Sequence, residues 1–368
     1  MPDTSPQTDR KPLPLHRKIQ FTLVILFFFS LVLAAVGEVY FRNCCMEFYE
    51  KPKPIPPYDT AQRDALLGWK MTPGYTFDGI MRSEDGTEYP LSLRYDENGF
   101  KTFGDTTNGK PRILFIGDSF TASIEVSNGM SFFDILGDSL DAEVFAYGHA
   151  GFGTLQEFFV FDQWVDRLRP GIVVWEVCSN DFIDNHASLE IACGYKVGER
   201  RPYLSEQGKI FYRRPLSLWQ RACEVSVFCK WLDERLLVLT EKITGEPHRV
   251  GEYYIATQKR DYPRFDRSVR TTEQIIASVR ERLPEGTALI GFSADTYQPQ
   301  LDEFRRIFEE TGFAFYDAPA RAIDKARIEQ KLVVRSVDAC HWNELGHEIV
   351  AGALLPVLNH ALLSQPAM

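Results

Sequence analysis

Cysteine is scarce in this chain: seven occur in 368 residues, and no C-x-x-C is present. That excludes a disulfide-stapled scaffold, a zinc ribbon and a thioredoxin-like redox centre. Long basic runs are missing too. With 41 Lys and Arg against 51 Asp and Glu, the formal net charge is −10, so nucleic acid is not an expected partner. No internal repeat and no low-complexity tract occurs, which removes solenoids and collagen-like chains. What remains is a globular composition, 44% hydrophobic and 25% charged, long enough to bury a core without staples.

One apolar run breaks the soluble pattern. Phe21 to Val36 reads FTLVILFFFSLVLAAV, and no charge falls between Lys18 and Glu38. As a helix those roughly 19 residues span about 28 Å, close to the hydrocarbon thickness of a bilayer. Arg10, Lys11, Arg17 and Lys18 precede the run, so the positive-inside rule holds the N-terminus in the cytoplasm and exports the rest. Residues 1–18 are then a cytoplasmic tail and 19–37 a transmembrane anchor. A cleaved signal peptide is the rival, with Ala35-Val36-Gly37 as a small-x-small site. The long leading tail favours the uncleaved anchor. The expected location is the inner (cytoplasmic) membrane, single-pass, with the following domain periplasmic.

Residues 38–59 form a spacer ending in KPKPIPPYD, extended and semi-rigid by its prolines. Residues 60–110 carry short aromatic-bearing runs broken by Gly, Asn and Asp, read as a small region of short strands. From 111 to 365 strands and helices alternate. RILFIG (112–117), AEVFAYG (142–148), GIVVWEVC (171–178), TALIGFS (287–293) and FAFYDA (313–318) are short apolar runs of the kind buried parallel strands need. An insertion, 182–265, interrupts the alternation; it is aromatic and charged, with one helix expected through SLWQRACEVSVFCKWLDERLLVL. The pattern implies an α/β fold with a parallel sheet covered on both faces. Export makes disulfides possible. Cys223 and Cys229 are about 240° apart on a helix and poorly placed to pair; a bridge from Cys193 to either stays open. Cys178 and Cys340 flank the strand ends and read as small buried fillers.

Ligands on such sheets bind at the carboxyl ends of the strands, and the polar motifs collect there. Gly117-Asp118-Ser119-Phe120-Thr121 follows the first strand, Gly148-His149-Ala150-Gly151-Phe152-Gly153-Thr154 the second, and Ser179-Asn180-Asp181 the third; Asp338-Ala339-Cys340-His341 comes near the C-terminus. A serine hydroxyl needs a base to take its proton and a group to fix the base's tautomer. Ser119, His341 and Asp338 are those candidates. Taken singly, Ser119 is equally a helix N-cap, His341 a surface histidine, and Asp338 a cap. Asn180 and Asp181 have ordinary turn readings, and so do Gly148 and Gly153. His149, His186 and His347 need no special role.

Those four blocks, in this order, resemble the SGNH (GDSL-type) hydrolase superfamily over roughly residues 111–360. The resemblance implies a flavodoxin-like three-layer sandwich, here preceded by one transmembrane helix and a small β-containing region. It also implies a Ser119–His341–Asp338 triad and an oxyanion hole from the Ser119 and Gly151 backbone N–H groups and the Asn180 amide. Ala146 stands where the second block often has Asn. Anchor, spacer and insertion together look like membrane-attached members of bacterial envelope or exopolysaccharide systems, whose polysaccharide-biosynthesis proteins are then possible partners. The expected activity is that of a serine esterase or O-acyltransferase acting on an O-acetylated extracytoplasmic glycan or glycolipid, with no cofactor and no metal. The alternatives are a non-catalytic glycan-binding or scaffolding subunit, and a lipase at the membrane surface. In the insertion, Tyr203, Phe211, Tyr212, Trp219 and Trp231 are candidates for packing on sugar faces, against the plainer reading of a stabilising cap.

Overall fold

The five apolar runs become neighbouring strands of one sheet. The computed structural model describes residues 14–44, 57, 60–194, 200–212, 217–244 and 251–364. Most of the expected cytoplasmic tail (1–13) and most of the proline-rich spacer (45–56, 58 and 59) lie outside the described residues. In chain order the first elements are α1 (Leu15–Cys44), β1 (Ala61–Asp64), β2 (Gly68–Met71), β3 (Thr76–Arg82), β4 (Glu88–Arg94), β5 (Thr102–Phe103) and β6 (Arg112–Gly117). Then come α2 (Ser119–Ala122), α3 (Phe132–Leu140), β7 (Glu143–Gly148), α4 (Thr154–Leu168), β8 (Ile172–Val177), α5 (Asp181–Asp184) and α6 (Ala187–Ala192). The inserted segment continues with β9 (Pro202–Leu204), β10 (Ile210–Tyr212), α7 (Leu218–Val225), α8 (Val227–Thr244) and α9 (Gly251–Gln258). The chain closes with α10 (Pro263–Arg282), β11 (Ala288–Ser293), α11 (Gln300–Glu310), β12 (Ala314–Tyr316), α12 (Ala318–Asp324) and α13 (Glu344–Leu363).

The chain forms two units, residues 54–215 with 247–368 and residues 1–53 with 216–246. In the larger unit the sheet order is β12-β11-β8-β6-β7-β5. All pairs are parallel except β5 on β7. Successive strand residues point to opposite faces, and because both faces are covered the strands must be apolar throughout. Leu114, Ile116, Val173, Trp175 and Val177 join one core with α4, α10 and α11. Ile113, Phe115, Ile172 and Val174 join a second core with α3, α12 and α13. This is a three-layer α/β sandwich with a mainly parallel sheet, each buried Val, Leu, Ile or Phe contributing about 1.5–3 kcal/mol.

The register aligns the carboxyl ends of the central strands: Gly117 faces Gly148 across β6 and β7, and Ile116 faces Trp175 across β6 and β8. The loops after all three therefore open at one edge. Gly148 is required there by close approach, since a Cβ would lie 2.5 Å from the Asp118 carbonyl oxygen and from the Ala122 nitrogen. The small region before the sheet is two antiparallel hairpins, β1–β2 and β3–β4, around Met71, Met81, Leu91, Leu93 and Tyr95.

The smaller unit joins α1 to α7 and α8, two of the helices of the insertion. The single helix expected across 217–239 is two, because the Ser226 hydroxyl accepts from the Cys229 N–H (3.0 Å) and starts α8 afresh. The Glu38 carboxylate from α1 accepts from the Ser226 hydroxyl (2.7 Å) and the Phe228 N–H (3.0 Å), an anion at a helix N-terminus. Phe41 packs on Trp231 with ring centres 4.7 Å apart. Along α1, the side chains of the 21–36 run are exposed rather than buried in protein, and the helix is long and apolar enough to cross a membrane. Trp219 and Trp231 belong to this unit, whereas Tyr203, Phe211 and Tyr212 belong to the larger one.

Two cysteine expectations are corrected. Cys193 is a free thiol, so the bridge to Cys223 or Cys229 is not made. Cys340 is exposed, not a buried filler, because it lies on the turn ahead of α13; Cys178 is buried and its thiol meets Asp295 Oδ2 at 3.1 Å.

Candidate active site

Strand β6 ends at Gly117, and the chain turns at once into the one-turn helix α2. Asp118 caps it, accepting from the Phe120 N–H (2.9 Å). Asp118 is held in turn by its own N–H donating to Glu176 Oε2 (3.1 Å), which also faces the Thr121 hydroxyl (3.2 Å). Ser119, the first residue of the helix, is left half-buried at the strand end.

The second arm of the site is the turn before α13. Asp338 Oδ1 accepts from the backbone N–H groups of Cys340 (2.9 Å) and His341 (3.0 Å). That turn needs Ala339 in the left-handed region, φ +57°. The turn is tied down by Ser336 N–H to the His341 carbonyl (2.8 Å), and Asn343 caps α13 by accepting from Gly346 N–H (3.0 Å). Phe120 packs against both His341 and Trp342, with ring centres 5.1 and 4.5 Å away.

Between these arms, His341 Nε2 lies 2.8 Å from Ser119 Oγ, and His341 Nδ1 is hydrogen-bonded to Asp338 Oδ2. The three residues are 222 and three positions apart in sequence and form one continuous chain in space. A hydroxyl, an imidazole and a carboxylate linked in that order can transfer the hydroxyl proton as the oxygen attacks a carbonyl.

Sequence reasoning missed a second carboxylate on the imidazole. Glu125 is buried, and its Oε1 lies 3.4 Å from His341 Nδ1. Burial alone would lower the His341 pKa, but the charges of Glu125 and Asp338 outweigh it and raise it to about 9. Burial acts on Asp338 in the raising direction, and the His341 contacts reverse it, bringing the carboxyl down to about 2. Glu125 is raised by burial. The small region 60–110 positions its loop: Tyr89 OH donates to the Glu125 carbonyl (3.1 Å), Tyr95 OH to the Ala122 carbonyl (2.6 Å), and the buried Lys101 ammonium to the carbonyls of Val126 (2.6 Å) and Ser123. The sequence signal was Tyr89 in β4 and Tyr95 just after it, visible but with no indication of their targets. In Glu125→Gln the His341 ring, followed by NMR in the full chain, is expected to titrate lower, because one of the carboxylates favouring imidazolium is gone.

Among the described residues, Glu125, Asp338 and His341 are the one group of three metal-ligating side chains with atoms within 4.8 Å of one another. Those atoms are the ones that hold His341, so a cation there would compete with the histidine's own orientation.

The other two predicted site residues lie on neighbouring loops. Asn180 directs Nδ2 towards Asp118 Oδ2 (3.4 Å) and Asp184 Oδ2 (3.1 Å), which brings it beside the residue preceding Ser119. Gly151 sits in the left-handed region, φ +71°, where a side chain would strain the backbone. Its carbonyl accepts from Arg201 Nη1 (2.6 Å). No direct contact joins Gly151 to Ser119 in the described hydrogen bonds. Asp181 is a turn former, accepting from the Cys178 N–H (2.9 Å). His149 is buried against Phe152, and His347 is buried and accepts from the Phe132 N–H (3.2 Å). Around the Ser119 turn, Asp118, Glu157, Glu176 and Asp181 are all buried, and burial raises the pKa of each.

The larger unit is thus an α/β sandwich carrying a linked serine, histidine and aspartate at the carboxyl ends of its strands. No family model matches the sequence, and no curated protein matches it. Solved structures of similar fold include TesA, at 12% identity over 68% of this chain and 99% of that one, TM-score 0.39. An acetylxylan esterase from Geobacillus stearothermophilus, Axe2, is 14% identical over 68% of this chain and 95% of its own, TM-score 0.37. The psychrotrophic esterase EstA from Pseudoalteromonas sp. is 12% identical over 69% of this chain and 99% of its own, TM-score 0.38. At such distances the likeness says nothing about chemistry, which rests on the side chains of this molecule.

Proposed function

We propose that the protein is an exported, membrane-anchored serine esterase or O-acyltransferase of the SGNH class, acting on O-acetyl groups of an extracytoplasmic glycan or glycolipid. The observation that carries the reading is the unbroken chain Ser119 Oγ–His341–Asp338. Ser119 Oγ attacks the ester carbonyl while its proton passes to His341 Nε2. The oxyanion is received by the Ser119 and Gly151 N–H groups and the Asn180 amide. The alcohol leaves with the proton from His341, and the acyl group remains on Ser119 until water or a sugar hydroxyl takes it by the same route reversed. A metal or organic cofactor is not needed for any of these steps.

The anchor reading is supported by the exposed apolar face of α1 and by its junction with the insertion. Gly37, Glu38, Phe41 and Arg42 all contact α7 or α8, so cleavage at Ala35-Val36-Gly37 would cut next to the α8 cap. That favours a retained helix. For an acceptor platform the support is thinner. Tyr203 is buried and hydrogen-bonded to Glu190, which makes it part of a stabilising cap and removes it from the sugar-stacking set. Phe211 remains exposed beside it.

The test is incubation of the full chain with an activated acetyl ester, followed by mass spectrometry. An acetyl adduct on the peptide holding Ser119 is expected. With an oligosaccharide present, transfer to sugar should exceed the share that competition from water at about 55 M would leave, since a held acceptor reaches effective molarities of roughly 10⁵ M. Phe211→Ala should shift the partition towards hydrolysis. An unaltered partition removes the acceptor role from this segment and leaves a plain esterase.

A further inference from the structure

Arg201 belongs to no motif, yet it is among the most deeply buried charged side chains of the larger unit, at 1% exposure. Nη1 donates to the Gly151 carbonyl (2.6 Å) and to Gln156 Oε1 (2.9 Å). Nη2 pairs with Asp184 Oδ1 at 2.9 Å, and Nε faces Glu190 at 3.6 Å. The guanidinium lies 5.0 Å from the Trp69 ring centre. Burying such a group with its partners contributes little net stability, because desolvation offsets the attraction. What it does supply is fixed geometry.

Two of these partners lead to the proposed oxyanion donors. Asp184, paired to Arg201 through one oxygen, uses the other to accept from Asn180 Nδ2 (3.1 Å). Gly151 is held on both sides: its carbonyl by Arg201, and the preceding Ala150 carbonyl by Trp69 Nε1 (3.2 Å) and His149 Nδ1 (3.1 Å). In a trans peptide the C=O and N–H point in opposite directions. The groups that hold the Ala150 oxygen therefore aim the Gly151 N–H away from themselves. Trp69 comes from β2 in the small N-terminal region, and Arg201 from the inserted segment.

We propose that Arg201 is the positioning residue of the oxyanion pocket, setting Gly151 through its carbonyl and Asn180 through Asp184, with Trp69 as the brace on the Ala150–Gly151 peptide. This rests on the acyl-serine reading of the site. Arg201 touches no reacting atom; it acts on the two donors that do. A lysine cannot replace it, because an ammonium is a point donor without the planar fork that reaches the Gly151 oxygen and Asp184 together.

The experiment uses the full chain, with active sites counted by fluorophosphonate titration and rates expressed per titrated site. Losing one oxyanion donor costs about 10²–10³ in kcat. Arg201→Lys is expected to lower kcat per site about 10²-fold with KM within about twofold, and to raise the inhibition constant of a trifluoromethyl ketone, which forms a tetrahedral adduct, in the same ratio. The acid limb of the pH profile should stay where it is, since His341 is untouched. Trp69→Phe keeps an aromatic ring at the position and removes the indole N–H together with some ring volume; a drop of about tenfold with the same KM-against-kcat split is expected. Fewer titratable sites with a native kcat per site would make Arg201 a purely structural residue and overturn the proposal. Should Arg201→Lys fail to fold, native kcat and inhibitor binding in Trp69→Phe overturn it equally. A native chain that cannot be titrated at Ser119 defeats the acyl-serine reading first, and the proposal with it.

Discussion

Ser119→Ala is expected to remove ester turnover by roughly five to six powers of ten, as loss of the nucleophile does in a serine triad. Fluorophosphonate labelling should vanish with it. The fold should be spared, because the hydroxyl's contact is with His341 and α2 is held instead by Asp118 and by the Ala122 and Ser123 N–H groups donating to the Asp118 and Ser119 carbonyls. One half-buried hydroxyl is worth about 0.5–1.5 kcal/mol, a small change in the thermal midpoint. Labelling that survives in the variant would place the nucleophile elsewhere.

Asp338→Asn carries the second large effect. The carboxylate accepts from His341 Nδ1, which leaves Nε2 free to take the serine proton. A carboxamide can donate to Nδ1 instead, and the wrong tautomer then costs about 10⁴ in kcat. The pH profile should move as well. With His341 raised to about 9 by Glu125 and Asp338, the neutral base accumulates only as pH climbs through that value, so native activity should rise across pH 7–9. Losing the Asp338 charge favours imidazolium less, and the acid limb moves to lower pH. Glu125 still faces the ring at 3.4 Å, so part of the upward shift should remain. A near-native rate with an unmoved limb would take Asp338 out of the mechanism.

The fold was readable because its signals are local. A strand buried on both faces has no choice but continuous apolar character, and RILFIG and IVVWEV carry it without interruption. Cap positions were less readable: Ser119 and Asp338 were the cap candidates, and the residues that cap α2 and α13 are Asp118 and Asn343. The break at Ser226 was not, since SLWQRACEVSVFCKW keeps helical character throughout and the cap depends on Glu38, 188 positions away. Glu125 and Arg201 were hidden for the same reason. Each looks like an ordinary surface charge until distant chain buries it, Glu125 beneath Tyr89 and Lys101, Arg201 between Trp69 and Asp184.

By itself the sequence showed the strand–helix alternation, the apolar N-terminal helix and Ser119, His341 and Asp338 as triad candidates at the strand ends, while Asn180 and Gly151 were singled out through the resemblance of the four blocks. It could do so because strand character and short-range turns are written within a few residues of where they act. The tertiary structure decided which charges face one another. It turned His341 towards two carboxylates, ran Arg201 between Gly151 and the partner of Asn180, and joined α7 and α8 of the insertion to α1. The decisive contacts join residues far apart in the chain, 50 positions for Arg201 and Gly151 and 188 for Ser226 and Glu38. Their energy comes from desolvation and charge, which no local pattern records.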